Sequence, residues 1–328
     1  MAILTINPGF GFDMSGGIMP RGDLVSVFER SSAAHRFSYI DDYGDDAIER
    51  FYGFGFGYDA WGDLAFGRIT AQERVVDGGL AFTLEGLDVS VATVMDYVDA
   101  GDVAGELAYV FRGHDLMEGG DRDDTLFGMG GDDDIYGYGG FDDLYGGAGL
   151  DYLRGGDGDD LLDGGSGADD AHGNAGNDTV YGGSGDDWVV GGRDDDDVYG
   201  EAGWDVVLGN LGDDYVSGGD GDDWVRGGQG DDLVVGGAGR DWLAGDRGHD
   251  TLTGGAGADT FHMFGGADLD LVTDFSVAEG DRVQLSPGSR YAVAQVGLDT
   301  VITVDGSGRM ILEGVQVSSL PAGWIFAA

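Results

Sequence analysis

From Gly119 to His262 the apolar residues follow a fixed nine-residue period, repeated sixteen times without a gap over 144 residues. One unit reads Gly155-Gly156-Asp157-Gly158-Asp159-Asp160-Leu161-Leu162-Asp163. Position 8 is apolar in every unit, from Leu126 to Phe261, with Ala171 the smallest. Position 1 is always glycine, and position 4 is glycine in fourteen units, with Arg122 and Asp194 the exceptions. A single inward apolar residue between two variable neighbours predicts a short strand, position 8 facing the core and positions 7 and 9 facing out. Glycines at positions 1 and 4 predict sharp reversals in the left-handed region of backbone space. Two units then make one coil of 18 residues, so sixteen units give eight coils and two parallel sheets, a stack roughly 35–40 Å long at a strand spacing of ~4.8 Å.

The flanks lack this period. Toward the N-terminus, Ala2–Ile6, His35–Ile40, Phe51–Tyr58, Asp63–Thr70 and Leu80–Leu84 read as strands, and Phe51–Tyr58 alternates aromatic residues with glycine. Val91–Val98 and Val103–Phe111 read as short helices from their three- and four-residue apolar spacing. Toward the C-terminus, Tyr291–Val296, Thr300–Val304 and Met310–Leu312 read as strands, the last two joined by the turn Asp305-Gly306-Ser307-Gly308. The expected fold class is all-β, a parallel β-roll with caps at both ends. Its parts are a mostly-β N-terminal domain with short helices (1–118), a β-roll (119–262) and a C-terminal β cap (263–328).

Charge narrows the partners. The chain carries 63 acidic residues against 16 basic ones, all arginine, for a net charge of −47. Nucleic acid and anionic membrane are poor partners for such a surface, and cations are good ones. With no cysteine there is neither a disulfide framework nor a thiolate metal site. No apolar run approaches the ~20 residues of a spanning helix, so no membrane insertion is expected. Met1–Phe10 lacks the basic and apolar blocks of a cleavable export signal.

The acids sit in register. Position 6 is aspartate in all sixteen units: Asp124, Asp133, Asp142, Asp151, Asp160, Asp169, Asp178, Asp187, Asp196, Asp205, Asp214, Asp223, Asp232, Asp241, Asp250 and Asp259. Coiling aligns them along two edges, beside turns rich in free carbonyls. Calcium takes 6–8 oxygen ligands of these two kinds, whereas zinc prefers His or Cys and magnesium retains water. Eight turns per edge leave seven gaps, hence roughly fourteen ions. The array holds 35 acids and 6 arginines, a charge of −29 that about fourteen Ca²⁺ would balance. Without them, mutual repulsion and glycine entropy should leave the array unfolded.

The nonapeptide Gly-Gly-x-Gly-x-Asp-x-apolar-x resembles the calcium-binding repeat of the RTX (hemolysin-type) family, and a β-roll solenoid is what that resemblance implies. The run Phe54–Asp115 is similar to a leader found before such repeats. The run Gly257-Ala258-Asp259-Thr260-Phe261, continuing through Asp274-Phe275 to Gly280–Leu285, is similar to the segment that closes them. By the same resemblance Asp268, Asp270 and Asp281 are candidates for further calcium. The resemblance also implies export through a type I channel, guided by an uncleaved C-terminal signal, to the cell surface or beyond.

The variable positions carry a second signal. Residues 18 apart stack, so position 7 on one face forms a column containing Tyr152, Trp188, Trp224 and Trp242, with Val190, Leu208 and Ala244 at position 9 beside it. The other face carries Phe127, Tyr145, Tyr181 and Tyr199, interrupted by Asp163. Exposed, such columns mark an interface with another copy of the chain or with cell-surface polysaccharide; covered, they pack within the chain. Arg21-Gly22-Asp23 reads as a chance tripeptide, and His35 and His114 as ordinary surface or packing residues.

No catalytic pattern accompanies the array. There is neither His-Glu-x-x-His nor Gly-x-Ser-x-Gly, and His172, His249 and His262 are scattered through the repeats. The expectation is therefore a non-enzymatic, calcium-folded structural or adhesive protein. Polysaccharide binding is the alternative, and an unfamiliar enzyme in residues 1–118 a third reading.

Overall fold

The computed structural model describes residues 113–328 except Arg122, 265–268, 306–307 and Ala328, and before them only the backbone of six strands. The readings at Val91–Val98, Val103–Phe111 and Arg21-Gly22-Asp23 lie outside the described residues. Two units are distinguished, Met1–Tyr152 and Leu153–Ala328, so the division falls within the repeats.

In the first unit His35–Ile40, Ile48–Tyr58, Leu64–Val76 and Gly79–Ser90 form an antiparallel meander. Ile3–Ile6 pairs antiparallel with Gly79–Ser90 and parallel with Leu116–Gly120. The meander is thereby joined to the first repeat strand. Leu116–Gly120 then runs parallel to Asp134–Gly139, and Thr125–Phe127 to Asp143–Ala148, each partner 18 residues on. The repeat pattern starts half a coil before Gly119: Asp115 and Met117 occupy positions 6 and 8, are 3% and 0% exposed, and follow Val110 where glycine would stand.

The second unit shows the expected 18-residue coil directly. One parallel sheet has the register Leu161, Thr179, Asp197, Tyr215, Leu233, Thr251. The other has Asp170, Trp188, Val206, Trp224, Trp242, Thr260. Most repeat strands span position 7 to position 3 of the next unit, as in Leu161–Ser166. Position 8 is wholly buried, for example Leu162, Val180, Val216 and Phe261. The core is thus one apolar side chain per strand, narrow because each coil supplies only two.

The left-handed backbone falls at positions 2 and 4, not at 1 and 4 as expected. Gly165 and Gly167, at positions 2 and 4, have φ of 96° and 140°. Position 2 also accepts Tyr138, Asn174, Glu201 and Asn210 at φ of 75° to 85°. Position 1 is ordinary strand backbone, and its invariance has a different cause: space. A Cβ on Gly218 would lie 2.6 Å from Asp223 Oδ2 and 2.7 Å from the Gly236 carbonyl.

Past His262 the coils continue with longer steps. Thr251–Gly257 pairs in parallel with Leu269–Val272 and Thr260–Met263 with Arg282–Leu285. Gly308–Leu312 and Ile325–Ala327 add to these in parallel. The antiparallel strands Tyr291–Val296 and Asp299–Val304 then close one sheet. Among the described residues no helix is long and apolar enough to cross a membrane.

Candidate metal centre

The position-6 aspartates are the polar interior of the roll. All sixteen are 0–3% exposed. Their placement follows from local geometry: position 6 precedes the strand and shares the inward direction of position 8. Along each unit the backbone N–H of one such aspartate donates to Oδ1 of its counterpart in the next coil, 18 residues on within the repeats. In the first unit Asp115 donates to Asp133, Asp124 to Asp142 and Asp133 to Asp151, at 2.7 to 2.8 Å. In the second unit one ladder climbs Asp160, Asp178, Asp196, Asp214, Asp232 and Asp250. Another climbs Asp169, Asp187, Asp205, Asp223, Asp241, Asp259 and Asp281. Asp281 therefore extends the series, while Asp270 is 6% exposed and Asp268 lies outside the described residues.

The second carboxylate oxygen is treated differently. In Asp133, Asp178, Asp187, Asp196, Asp205, Asp214, Asp223, Asp232, Asp241 and Asp259, Oδ2 is buried and accepts no hydrogen bond. It packs against the position-1 glycine, as at Gly182 and Gly218, where a carbonyl of the next coil also approaches. A Cβ on Gly182 would meet Asp187 Oδ2 and the Gly200 carbonyl, each at 2.8 Å. An acceptor-lined space with no donor suits a hard cation, because a buried carboxylate without a partner is strongly unfavourable. Among the described residues no three His, Asp or Glu side chains cluster as a metal site. The donors on offer are thus single carboxylates joined by carbonyls, a set that fits calcium.

Burial leaves its mark on titration. Desolvation pushes Asp133, Asp196 and Asp232 up to about 8, and Asp178, Asp205 and Asp241 up to about 7. Neighbouring aspartates add to the rise, and the backbone N–H on Oδ1 opposes it. Bound divalent charge would reverse the sign of this environment.

Position 5, which the repeat reading passes over, carries a further ladder. Where it is Asp or Asn, its Oδ1 accepts the N–H of position 5 in the next coil, as in Asn177 to Asp159, Asp213 to Asp195 and His249 to Asp231. These groups are exposed. The Asp-Asp pairs at positions 5 and 6 were the signal for them.

The aromatic columns form as the register requires, with uneven exposure. Trp188 and Trp224 are 47% and 44% exposed. Trp242 is half-buried: its Nε1 donates to Gln284 Oε1 at 2.8 Å, and it meets Trp224 edge-on at 5.0 Å. Val190 and Ala244, beside the column, and Val206 within it occupy outward positions and are buried. Tyr152 packs on Tyr136 in the first unit. Phe127 stacks on Tyr145 at 4.7 Å, and Tyr181 on Tyr199 at 5.0 Å. His262 lies between Trp242 and Phe264, and burial lowers its pKa to about 4, so it is neutral packing.

Stacked parallel coils with a buried aspartate packed against the position-1 glycine define a class, the β-roll. The profile of the RTX calcium-binding nonapeptide repeat matches residues 109–144, 136–171, 163–198, 172–207, 199–234, 226–261 and 235–271. The array spanning 109–271 belongs to that family, whose repeats bind calcium. No curated protein matches the chain. Among solved structures it is similar to an extracellular lipase, LipA from Serratia marcescens, at 17% identity and a TM-score of 0.22. That match covers 66% of this chain and 38% of the lipase chain.

Proposed function

We propose that the chain is an extracellular structural or adhesive protein without catalytic activity, whose β-roll folds on binding calcium. The observation that carries this reading is the buried Oδ2 of the position-6 aspartates, without a hydrogen-bond donor at Asp133, Asp178 and eight others. When bound, calcium supplies the positive charge that these oxygens and the facing carbonyls need. The residues do the rest: Oδ1 is fixed by the N–H of the preceding coil, and the position-1 glycine, having no Cβ, lets Oδ2 approach the backbone closely. In this reading the sixteen aspartates from Asp124 to Asp259 are the ligands, and roughly fourteen ions fill the gaps. Residues 1–118 and 263–328 cap the array 119–262. The absence of stabilising cysteine bridges is offset by metal, which suits release into calcium-rich surroundings by a type I route.

Far-UV circular dichroism of the chain in EGTA, followed by calcium addition, tests it. The expected result is a disordered spectrum that converts cooperatively to β. An unchanged spectrum, or a bound-calcium content near zero in the folded chain, refutes the reading.

A further inference from the structure

One of the two sheets ends, in the C-terminal cap, on the strand Tyr291–Val296. This strand pairs with Asp299–Val304 on one side, and among the described residues no strand lies along its other side. In Asp299–Val304 the side chains of Thr300, Ile302 and Val304 are wholly buried. In Tyr291–Val296 only Val293 is half-buried, and the other residues are exposed.

The direction of the backbone follows from the hairpin. Val296 and Asp299 flank the two-residue turn Gly297-Leu298, where Gly297 has a φ of 63°. A turn of this length makes its flanking residues a hydrogen-bonded pair, and such pairs recur at every second residue. At the far end the Asp305 N–H donates to the Arg290 carbonyl at 2.7 Å, which sets the same phase. Ala292, Ala294 and Val296 therefore turn their backbone groups toward Asp299–Val304. Tyr291, Val293 and Gln295 turn theirs to the open edge. The Gln295 side chain is engaged within the cap, its Oε1 accepting the Val317 N–H at 2.7 Å and its Nε2 donating to the Asp299 carbonyl at 2.9 Å. Edge strands are usually guarded by charge, proline or a bulge. Tyr-Ala-Val-Ala-Gln-Val has no charge and no proline, and its register is unbroken.

Charge narrows the occupant. Over residues 282–328 Arg282, Arg290 and Arg309 balance Asp299, Asp305 and Glu313, in a chain whose net charge is −47. Two copies repel each other through their acidic arrays, and the neutral cap is where they can approach. We propose that Tyr291–Val296 pairs antiparallel with the same strand of a second copy of this chain. A two-fold axis at Val293 sets that residue opposite its own counterpart, and Tyr291 opposite the partner's Gln295. Outward residues thus meet outward residues, and each opposed pair exchanges two hydrogen bonds. The contact is isologous, so it closes at two copies. It lies apart from the position-6 aspartates and rests on the calcium reading only for a folded chain.

The test is sedimentation velocity of the full chain in calcium over a concentration series, with its β fold verified by circular dichroism. A concentration-dependent dimer is expected. Val293→Pro removes an outward N–H and spares the pairing with Asp299–Val304, so it should weaken the dimer at least about tenfold. Val293→Thr keeps the backbone donor and should retain the dimer. The chain has no cysteine, so Val293→Cys reports geometry alone. Under mild oxidation it should give a disulfide-linked dimer. Leu298→Cys should not, although Leu298 is 73% exposed, because its counterpart across the axis lies roughly 34 Å away. A folded chain that stays monomeric, a dimer indifferent to Val293→Pro, or Leu298→Cys cross-linking as readily as Val293→Cys overturns the proposal. So does a dimer that Trp188→Ser abolishes, since the contact would then be the tryptophan column. A chain that stays disordered in calcium overturns the earlier reading and, having no folded edge, this one with it.

Discussion

Two glycines of one nonapeptide are needed for different reasons, and substitution separates them. At Gly218 the backbone is ordinary strand, yet a Cβ would press on Asp223 Oδ2 and the Gly236 carbonyl. Gly218→Ala should lower stability in calcium by about 1–3 kcal/mol, the range of overpacking, and reduce bound calcium, read by denaturant titration and metal analysis. At Glu201 the side chain tolerates a φ of 75° with nothing gained. Glu201→Gly should raise stability by about 1 kcal/mol, the difference between left-handed strain and glycine's freedom. The aspartates make a pH prediction of definite sign. Their folded pKa values, about 8 for Asp133, Asp196 and Asp232, lie above the ~3.9 of an unfolded aspartate. Protons therefore bind the metal-free fold more tightly, so its stability is greatest below pH ~4 and is lost as pH rises toward 8. In EGTA, acidification from pH 8 to 4 should increase β structure, whereas calcium affinity should fall over the same range. A metal-free chain that loses structure on acidification contradicts this.

At the scale of the strand and turn, the nine-residue period was sufficient for the coil, because position 8 alone sets which way each strand faces. It was sufficient for the aspartate edges too, since register follows from coil length. Three features were hidden, two of them because they depend on neighbouring residues in space. Position 1 is reserved for space, which sequence frequency alone does not distinguish from twist, and position 2, where the twist lies, admits Tyr138 and Asn174. Val190, Val206 and Ala244 occupy outward positions on the sheet yet are buried, which a position's direction alone does not reveal. Asp115 and Met117 were missed because Val110 breaks the glycine pattern one unit before Gly119. The core itself is thin, so its large members matter. Phe261 is wholly buried and packs on Phe275 at 6.0 Å between ring centres. Phe261→Ala should lower stability in calcium by about 3–5 kcal/mol, measured by denaturant titration.

Across the whole molecule the two chemistries divide by position. The constant positions 1, 6 and 8 build a roll with a narrow apolar centre and buried carboxylates, a combination that leaves little to hold the coils together without cations. The variable positions decide what the surface meets, and in the unit Leu153–Ala328 they differ between the two faces. A net charge of −47 spread over 328 residues opposes compaction until it is neutralised. The most direct measurement is a calcium titration of the chain from an EGTA-stripped start, following far-UV circular dichroism and bound calcium together. The account predicts a disordered start and a cooperative rise in β structure that coincides with uptake of roughly fourteen ions. A β spectrum already complete in EGTA, or folding with no calcium taken up, would contradict it.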